Sequence, residues 1–362
     1  MLKSYFKDLF SRFKQKNIIS KTLIILFILL EIFLCVISFA KVNVIVDTPG
    51  SLSEASATIE IDTNNNRGHV LTVSVTEFER VSIIKYWLAK RDNRMHVEEI
   101  EDDYDSQADY YYSYYAKRVS MYNAIIYAYR EASKVNPEIN LIANYKGLLV
   151  AQVAKRAKTT IQADDIITAI DGKTFANYGE FKEIYQEVVN SHSAGDEIIF
   201  KVTRIVNNEE QKLERYATLQ EDDGRLTFGF YCFDYTVPDS DNSTPKFKIS
   251  EYAYNSIGNS GGAMMTLSIY NALTNNDIVK DLIVAGTGTI DLDGTVGAIG
   301  GIEQKVVRCY ISGVDVFFVD SYDYEDAVKA CEKFGYDSSF IVRVEKFSDI
   351  IDELNRRGEQ HE

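Results

Sequence analysis

Two short stretches of this 362-residue chain carry side chains able to do chemistry together. In Ile257-Gly258-Asn259-Ser260-Gly261-Gly262, a turn of small residues sets Ser260 at the start of a helical pattern. In Gly300-Gly301-Ile302-Glu303-Gln304-Lys305, a glycine pair opens another helix with Lys305 one turn in. A serine and a lysine on adjacent helix starts can act as nucleophile and base in acyl transfer. Serine is also a favoured helix cap, and capping alone accounts for Ser260 taken by itself. At a helix start, unpaired backbone N–H groups and the helix dipole also favour a developing oxyanion. A lysine in water titrates at about 10.4, so being half neutral at pH 7 takes about 4.6 kcal/mol. Apolar neighbours such as Ile302, Val306 and Val284 could supply it by excluding water.

The elements that must position this pair lie within residues 225–355. Residues 225–237 and 247–250 read as short strands around a polar loop, Pro238–Pro245. Gly261 to Leu273 predicts an amphipathic helix ending near Thr274-Asn275-Asn276. Ile283–Asp291 and Thr295–Ile299 predict strands joined by an Asp293-Gly294 turn, followed by the Lys305 helix. Val314–Val319 then reads as a strand and Tyr324–Ala330 as a helix, an α/β order.

Upstream, the chain changes character several times. Residues 1–21 hold six basic side chains against Asp8 alone. Residues 22–40 are apolar except for Thr22, Glu31 and Ser38, and as a helix would span roughly 28 Å. A single-pass anchor with its basic N-terminus in the cytoplasm and residues 41–362 outside the cell membrane is the expected topology. Ser38-Phe39-Ala40 also has the small-x-small form of a signal-peptidase site, which leaves cleavage open. Residues 41–92 read as strands, with a turn cluster at 62–68 that lacks the spacing of a calcium loop. The acidic run at 98–105 reads as a solvated approach to a helix. That helix is predicted from about Ser106 to Lys134, with Tyr115, Val119, Tyr122, Ile126 and Tyr129 as a core-facing stripe.

A net charge of −15 argues against nucleic-acid binding. Gly172-Lys173-Thr174 lacks the glycine five residues earlier that a nucleotide loop needs, since Ile167 stands there. No nucleotide, metal or other cofactor is expected. The four cysteines, Cys35, Cys232, Cys309 and Cys331, have no pairing or zinc spacing and are expected reduced.

Within 138–220, Gly147-Leu148-Leu149-Val150 opens a strand, and Ala163-Asp164-Asp165-Ile166-Ile167-Thr168-Ala169-Ile170-Asp171-Gly172 follows. This stretch resembles a PDZ domain, with Asp164 where the pattern usually has glycine. The resemblance implies that Gly147, Leu148, Leu149 and Val150 form the peptide-binding loop, offering an open sheet edge to a chain terminus. A groove filled by the protein's own chain is the alternative. The last block resembles the proteolytic domain of the Lon family, the serine–lysine peptidases. The family writes its nucleophile turn Gly-Pro-Ser-Ala-Gly, here Gly258-Asn259-Ser260-Gly261-Gly262, and its lysine element matches Ile299-Gly300-Gly301-Ile302-Glu303-Gln304-Lys305 at every fixed position. Thr287-Gly288-Thr289-Ile290 matches the strand before it.

The resemblance implies Ser260 as nucleophile, Lys305 as base and Thr287 as the group orienting the lysine, with Gly258, Asn259 and Gly261 shaping the nucleophile turn. Asn259 in place of proline and Gly261 in place of alanine are expected to loosen it. The order of segments is most similar to PDZ-containing, membrane-anchored Lon-like peptidases without the ATPase domain. The implied function is an ATP-independent serine endopeptidase acting on exported peptides or unfolded protein segments, with a hexamer as the family's assembly. The expected fold class is a multidomain α+β and α/β chain: basic tail (1–21), transmembrane helix (22–40), β-rich segment and long helix (41–137), PDZ domain (138–220) and Lon-like domain (225–355).

Two other readings compete. A membrane-tethered PDZ scaffold whose Lon-like block has lost turnover would bind peptide termini only. The Gly-Asn-Ser-Gly-Gly turn also occurs in trypsin-like proteases. There, however, the PDZ domain follows the protease, and none of His69, His96 and His192 falls in a protease domain ahead of Ser260.

Overall fold

A computed structural model describes residues 2–63, 69–101, 104–206, 209–274 and 278–360. Part of the expected 62–68 turn, residues 102 and 103 of the acidic run, and the expected helix end at Asn275-Asn276 fall outside the described residues. The chain divides into two compact units, Met1–Pro49 with Thr76–Asp102, and Gly50–Val75 with Asp103–Glu362. From the N-terminus the elements are α1 (Leu2–Gln15), α2 (Ile18–Phe39), β1 (Val44–Glu54), β2 (Ile59–Ile61), β3 (His69–Glu79), α3 (Ile83–Ala89) and β4 (His96–Glu99).

In the first unit, α2 starts where Asn17 accepts the Ser20 N–H at 2.9 Å and runs through 22 residues, none of them buried, with a mean hydropathy of 2.9 over an 18-residue stretch. By length and composition it can cross a membrane. The first residues of β1 pair antiparallel with β4, from Val44 opposite Glu99 to Asp47 opposite His96. Val44, Val46, Val81 and Ala89 form a small core with Tyr86, Met95 and Val97 packed against it.

The second unit begins with α4 (Ser106–Val135), capped by Asp105, whose carboxylate accepts the N–H groups of Gln107 and Ala108. There follow β5 (Asn140–Val153), β6 (Ile166–Ile170), β7 (Lys173–Thr174), α5 (Tyr178–Ser191), β8 (Glu197–Val206), β9 (Glu209–Thr218), β10 (Gln220–Asp222), β11 (Arg225–Thr227), β12 (Phe230–Thr244) and β13 (Phe247–Ile249). An antiparallel sheet runs in the order β12-β5-β6-β8-β9. Leu148 and Val150 point to one side, into a core with Ile167, Phe200 and Phe228, while Leu149 and Ala151 point to the other, against Tyr115 and Val119 of α4. The expected loop at Pro238–Pro245 is instead mostly strand. β12 is the outermost strand, and an edge tolerates a proline that an interior strand would not.

The remaining elements are α6 (Glu251–Tyr254), α7 (Gly262–Thr274), β14 (Ile283–Gly286), β15 (Thr289–Ile290), β16 (Val296–Gly297), α8 (Ile302–Ile311), β17 (Val316–Asp320), α9 (Tyr324–Phe334), β18 (Ile341–Val344) and α10 (Phe347–Gln360). β18, β17, β14 and β3 are parallel neighbours. Their side chains alternate between two layers. Val70, Val284, Val316 and Phe318 pack on α4, α7 and α10, whereas Val73, Ala285, Phe317 and Val319 pack on α8 and α9. The α/β block therefore borrows a strand and a long helix from residues 41–137.

The predicted stripe of α4 also divides: Tyr129 belongs to the α/β core, Ile126 is only half-buried, and neighbours outside the stripe complete the second face. Tyr115, Val119 and Tyr122 serve the β5/β12 sheet, while Met121, Ile125 and Ala128 enter the α/β core.

Candidate active site

Ser260 lies half-buried in the turn between α6 and α7. α4 holds this turn: the Gly258 N–H donates to the Ser113 carbonyl at 3.1 Å, and Ser120 Oγ donates to the Asn259 carbonyl at 2.9 Å. Those bonds supply from a neighbouring helix some of the rigidity that a proline at 259 would give. At Gly261 a methyl group would stand 3.0 Å from Thr72 Cγ2 of β3, so the turn packs closely on that strand. Both departures from the family turn thus have partners on other elements, and the expected loosening is countered there. Among the described residues, the N–H groups of Ser260 and Gly261 find no hydrogen-bond acceptor.

Lys305 sits on the first turn of α8, and Gly301 explains how it gets there. Gly301 caps the helix at φ +68°, and a Cβ on it would approach Val75 Cγ2 to 2.6 Å. Only glycine lets the chain pass this close to β3 in that conformation. The lysine is 3% exposed and donates to Thr287 Oγ1 at 3.0 Å. Thr287 Oγ1 in turn donates to the Ser260 carbonyl at 3.4 Å, and the Gly288 N–H donates to the same carbonyl at 2.8 Å. Thr287 is fixed through its own N–H, bonded to the Phe318 carbonyl at 2.9 Å. A continuous path of hydrogen bonds therefore joins Lys305, Thr287 and the backbone of Ser260. Burial lowers the Lys305 pKa to about 8, against the opposing pull of Asp323, Cys309 and Asp320.

Sequence reasoning missed those two carboxyls. Asp320, at the end of β17, is fully buried; its Oδ1 accepts the N–H groups of Tyr322 at 2.9 Å and Asp323 at 3.3 Å. Asp320 Oδ2 is buried with no conventional donor, and the Asp323 carboxyl beside it can supply one only when protonated. Burial, and then this bond to Asp320, push Asp323 up to about 6. Asp323 Oδ2 also accepts the Ile299 N–H at 2.8 Å, tying α9 to the segment that leads into Gly300-Gly301. The signal available in the sequence was two aspartates three residues apart after an apolar strand, a common turn pattern. Among the described residues, no group of three or more His, Cys, Asp or Glu is placed to hold a metal ion.

Geometry and sequence likeness agree on the block that carries these groups. Residues 241–355 match the Lon protease (S16) C-terminal proteolytic domain. The chain is 30% identical over 95 residues to the Lon protease of Campylobacter jejuni and 34% identical over 97 residues to that of Mycoplasma genitalium. Those alignments take in 26% and 27% of this chain and only 12% of each relative. β3 and α4, which complete the Lon-like core, lie outside the matched segment.

A quarter of the chain (25%) is similar to 92% of the PDZ domain of an SdrC-like protein from Listeria monocytogenes, at 22% identity and a TM-score of 0.20. At that score the description of the block rests on its own strands. The residues of the expected peptide loop, in the 138–220 block, lie in an interior strand. Leu148 and Leu149 pair with Ile167 and Ile166 of β6 on one side and with Asp234 and Phe233 of β12 on the other. Gly147 and Val150 are likewise paired with β12, opposite Tyr235 and Cys232, and the side chains of Leu148, Leu149 and Val150 are buried. Both edges of this strand are taken, so it has none to offer a peptide. The free edge belongs to β12, entered through Phe228-Gly229-Phe230, with Gly229 at φ +71°. Tyr185 of α5 stands beside it, its ring 5.9 Å from Phe228. Asp164, the departure from the PDZ pattern, adopts φ +73°, the conformation that glycine there would favour, with its carboxylate 3.6 Å from Arg118.

Proposed function

We propose that this chain is a membrane-anchored serine endopeptidase in which Ser260 is the nucleophile and Lys305 the general base, working without nucleotide hydrolysis. The observation that carries the reading is the hydrogen-bonded path from a buried lysine through Thr287 to the nucleophile turn. In the cycle, Ser260 Oγ attacks the peptide carbonyl carbon as its proton passes to the neutral amine of Lys305. The carbonyl oxygen, now negative, faces the unpaired N–H groups at the start of α7. Lys305 then hands its proton to the amide nitrogen, the C–N bond breaks, and the amine product leaves an acyl-serine. Water attacks that ester with Lys305 again taking the proton, and Ser260 is restored. With a pKa of about 8, roughly a tenth of the lysine is neutral at pH 7.

Thr287 holds the amine in place; it neither gains nor loses a proton overall. Asp323, pushed up to about 6, loses its proton above that pH, and its charge then opposes the lowering of the Lys305 pKa by burial. Substrates are peptides or flexible segments, since unfolding a domain takes several kcal/mol that none of the described elements supplies. We assign their recruitment to the β12 edge, by strand addition beside α5. α2 is the single-pass anchor, with the second unit outside the cell.

The test is labelling with a serine-reactive phosphonate, followed by peptide digestion with wild type and Ser260→Ala. One adduct on Ser260, and at least about a thousandfold loss of cleavage in the variant, are expected. An unlabelled Ser260 with no cleavage by the wild type would leave the scaffold reading in its place, and a variant that still cleaves would move the nucleophile to another residue.

A further inference from the structure

The first unit carries an apolar surface that its own core does not use. α3 turns Tyr86 and Ala89 inward onto Val44, Val46 and Val81. Its opposite side bears Ile83, Ile84, Trp87 and Leu88, spaced as one stripe of a helix, with Trp87 48% and Leu88 51% exposed. Phe78 of β3 is exposed as well. In water such a stripe is an unfavourable surface, and it needs an occupant.

Two observations identify one. First, α3 is tied by its backbone to the end of α2: the Ile83 N–H donates to the carbonyl of Ala40, the residue that follows α2, at 3.1 Å. Val42 N–H donates to the Val81 carbonyl at 2.8 Å, and Lys41 bridges to Ser82. The stripe is thus fixed within one or two residues of the point where the apolar helix ends. Second, residues 80–91 hold Arg80, Lys85, Lys90 and Arg91 and no acid, in a chain of net charge −15. The Arg91 guanidinium stacks 3.6 Å over the Trp87 ring, and the Lys85 ammonium lies 3.6 Å over Phe78. Aromatic rings with cations beside them suit the boundary between acyl chains and anionic headgroups.

We propose that α3 lies in the outer surface of the same bilayer that α2 crosses, with Ile83, Ile84, Trp87 and Leu88 among the upper acyl chains and Lys85, Lys90 and Arg91 at the headgroups. The inference rests on the reading of α2 as an anchor. A short amphipathic helix adjoining a membrane span holds the first unit flat on the lipid. The protein then has two attachments to the membrane, one through it and one along it.

Trp87 is the chain's sole tryptophan and so its own reporter. The full chain is reconstituted into vesicles of phosphatidylcholine and phosphatidylglycerol, with and without lipids brominated near the headgroup end of their acyl chains. Flotation of the vesicles reports anchoring, and tryptophan fluorescence reports α3. The expected result is flotation, at least half the Trp87 emission quenched by brominated lipid, and little quenching by iodide. Leu88→Glu should weaken the bromine quenching while flotation persists. Flotation with Trp87 open to iodide and untouched by bromine would overturn the proposal while sparing the anchor. Protection from both quenchers would mean that protein, such as a second copy, covers the stripe, and would also overturn it. Failure to float with residues 1–40 intact would remove the anchor reading and this inference with it.

Discussion

Two lysines in the second unit have a pKa lowered by burial, and only one of them is hydrogen-bonded toward the Ser260 turn. Lys117 of α4 and Lys305 of α8 both have a pKa of about 8, each lowered by burial. Lys117 lies between Ser113 and Ser120, the residues of α4 that hold the Ser260 turn, yet among the described residues its amine meets only Met265 Sδ, at 4.0 Å. Lys305 meets a hydroxyl that continues to Ser260, with two carboxyls on its far side. A depressed lysine pKa therefore reports a dry environment. A base also needs neighbours that fix its amine close to the nucleophile.

The sharpest way to break the comparison is to make both lysines methionine. Lys305→Met should abolish peptide cleavage, by at least about a thousandfold in kcat/KM, while the fold gains about 1–2 kcal/mol from losing a buried ammonium, measured by thermal melting. The linkage has a definite sign. Lys305 titrates at about 8 when folded and near 10.5 when unfolded, so the cost of burying its charge is complete below pH 8 and fades as pH rises to about 10.5. The stabilising effect of Lys305→Met should therefore shrink over that window. Thr287→Val, which keeps the shape and removes the hydroxyl, should lower kcat by about 10–100-fold with KM nearly unchanged.

Smaller again is the effect of Asp323→Asn. Removing this carboxyl lowers the negative charge beside Lys305, so the acid limb of kcat/KM, governed in the wild type by a pKa of about 8, should move down by about half a unit. A limb that stays in place while activity falls uniformly would make Asp323 a brace for the Ile299 loop and nothing more. Lys117→Met should change kcat/KM less than about threefold and stabilise the fold. If it matches Lys305→Met in lost activity, the distinction drawn between the two lysines fails.

The legible part of the site was the part written in consecutive residues. Ser260, Lys305 and Thr287 each sit in a run whose glycines are needed locally, and the structure brings those runs together. What escaped reading depended on partners far away in the chain. Nothing local sets Lys117 apart, because Met265 lies 148 residues further on. Thr72 and Val75 looked like ordinary strand residues, although they set the space around Gly261 and Gly301.

The open sheet edge was expected on the wrong strand for a related reason. Gly147-Leu148-Leu149-Val150 and Gly229-Phe230-Tyr231-Cys232 are both glycine followed by three residues suited to a strand. Only the pairing distinguishes an interior strand from an edge, and that information is not local. The signal that could have selected the second was the Asp223-Gly224 turn and the aromatic pair flanking Gly229.

α4 has a consequence for how the second unit melts. It is shared by two hydrophobic cores, one with the β5/β12 sheet and one with α7 and the parallel strands. Neither core can open while the other stays whole unless α4 is pulled from one of them. Heat or denaturant should thus meet a single cooperative transition where the sequence suggests two independent domains. A fragment cut at residues 241 and 355 would lack both this helix and β3, leaving one side of β14 bare and α7 without its cover. The smallest piece able to fold is larger than the stretch that resembles a protease.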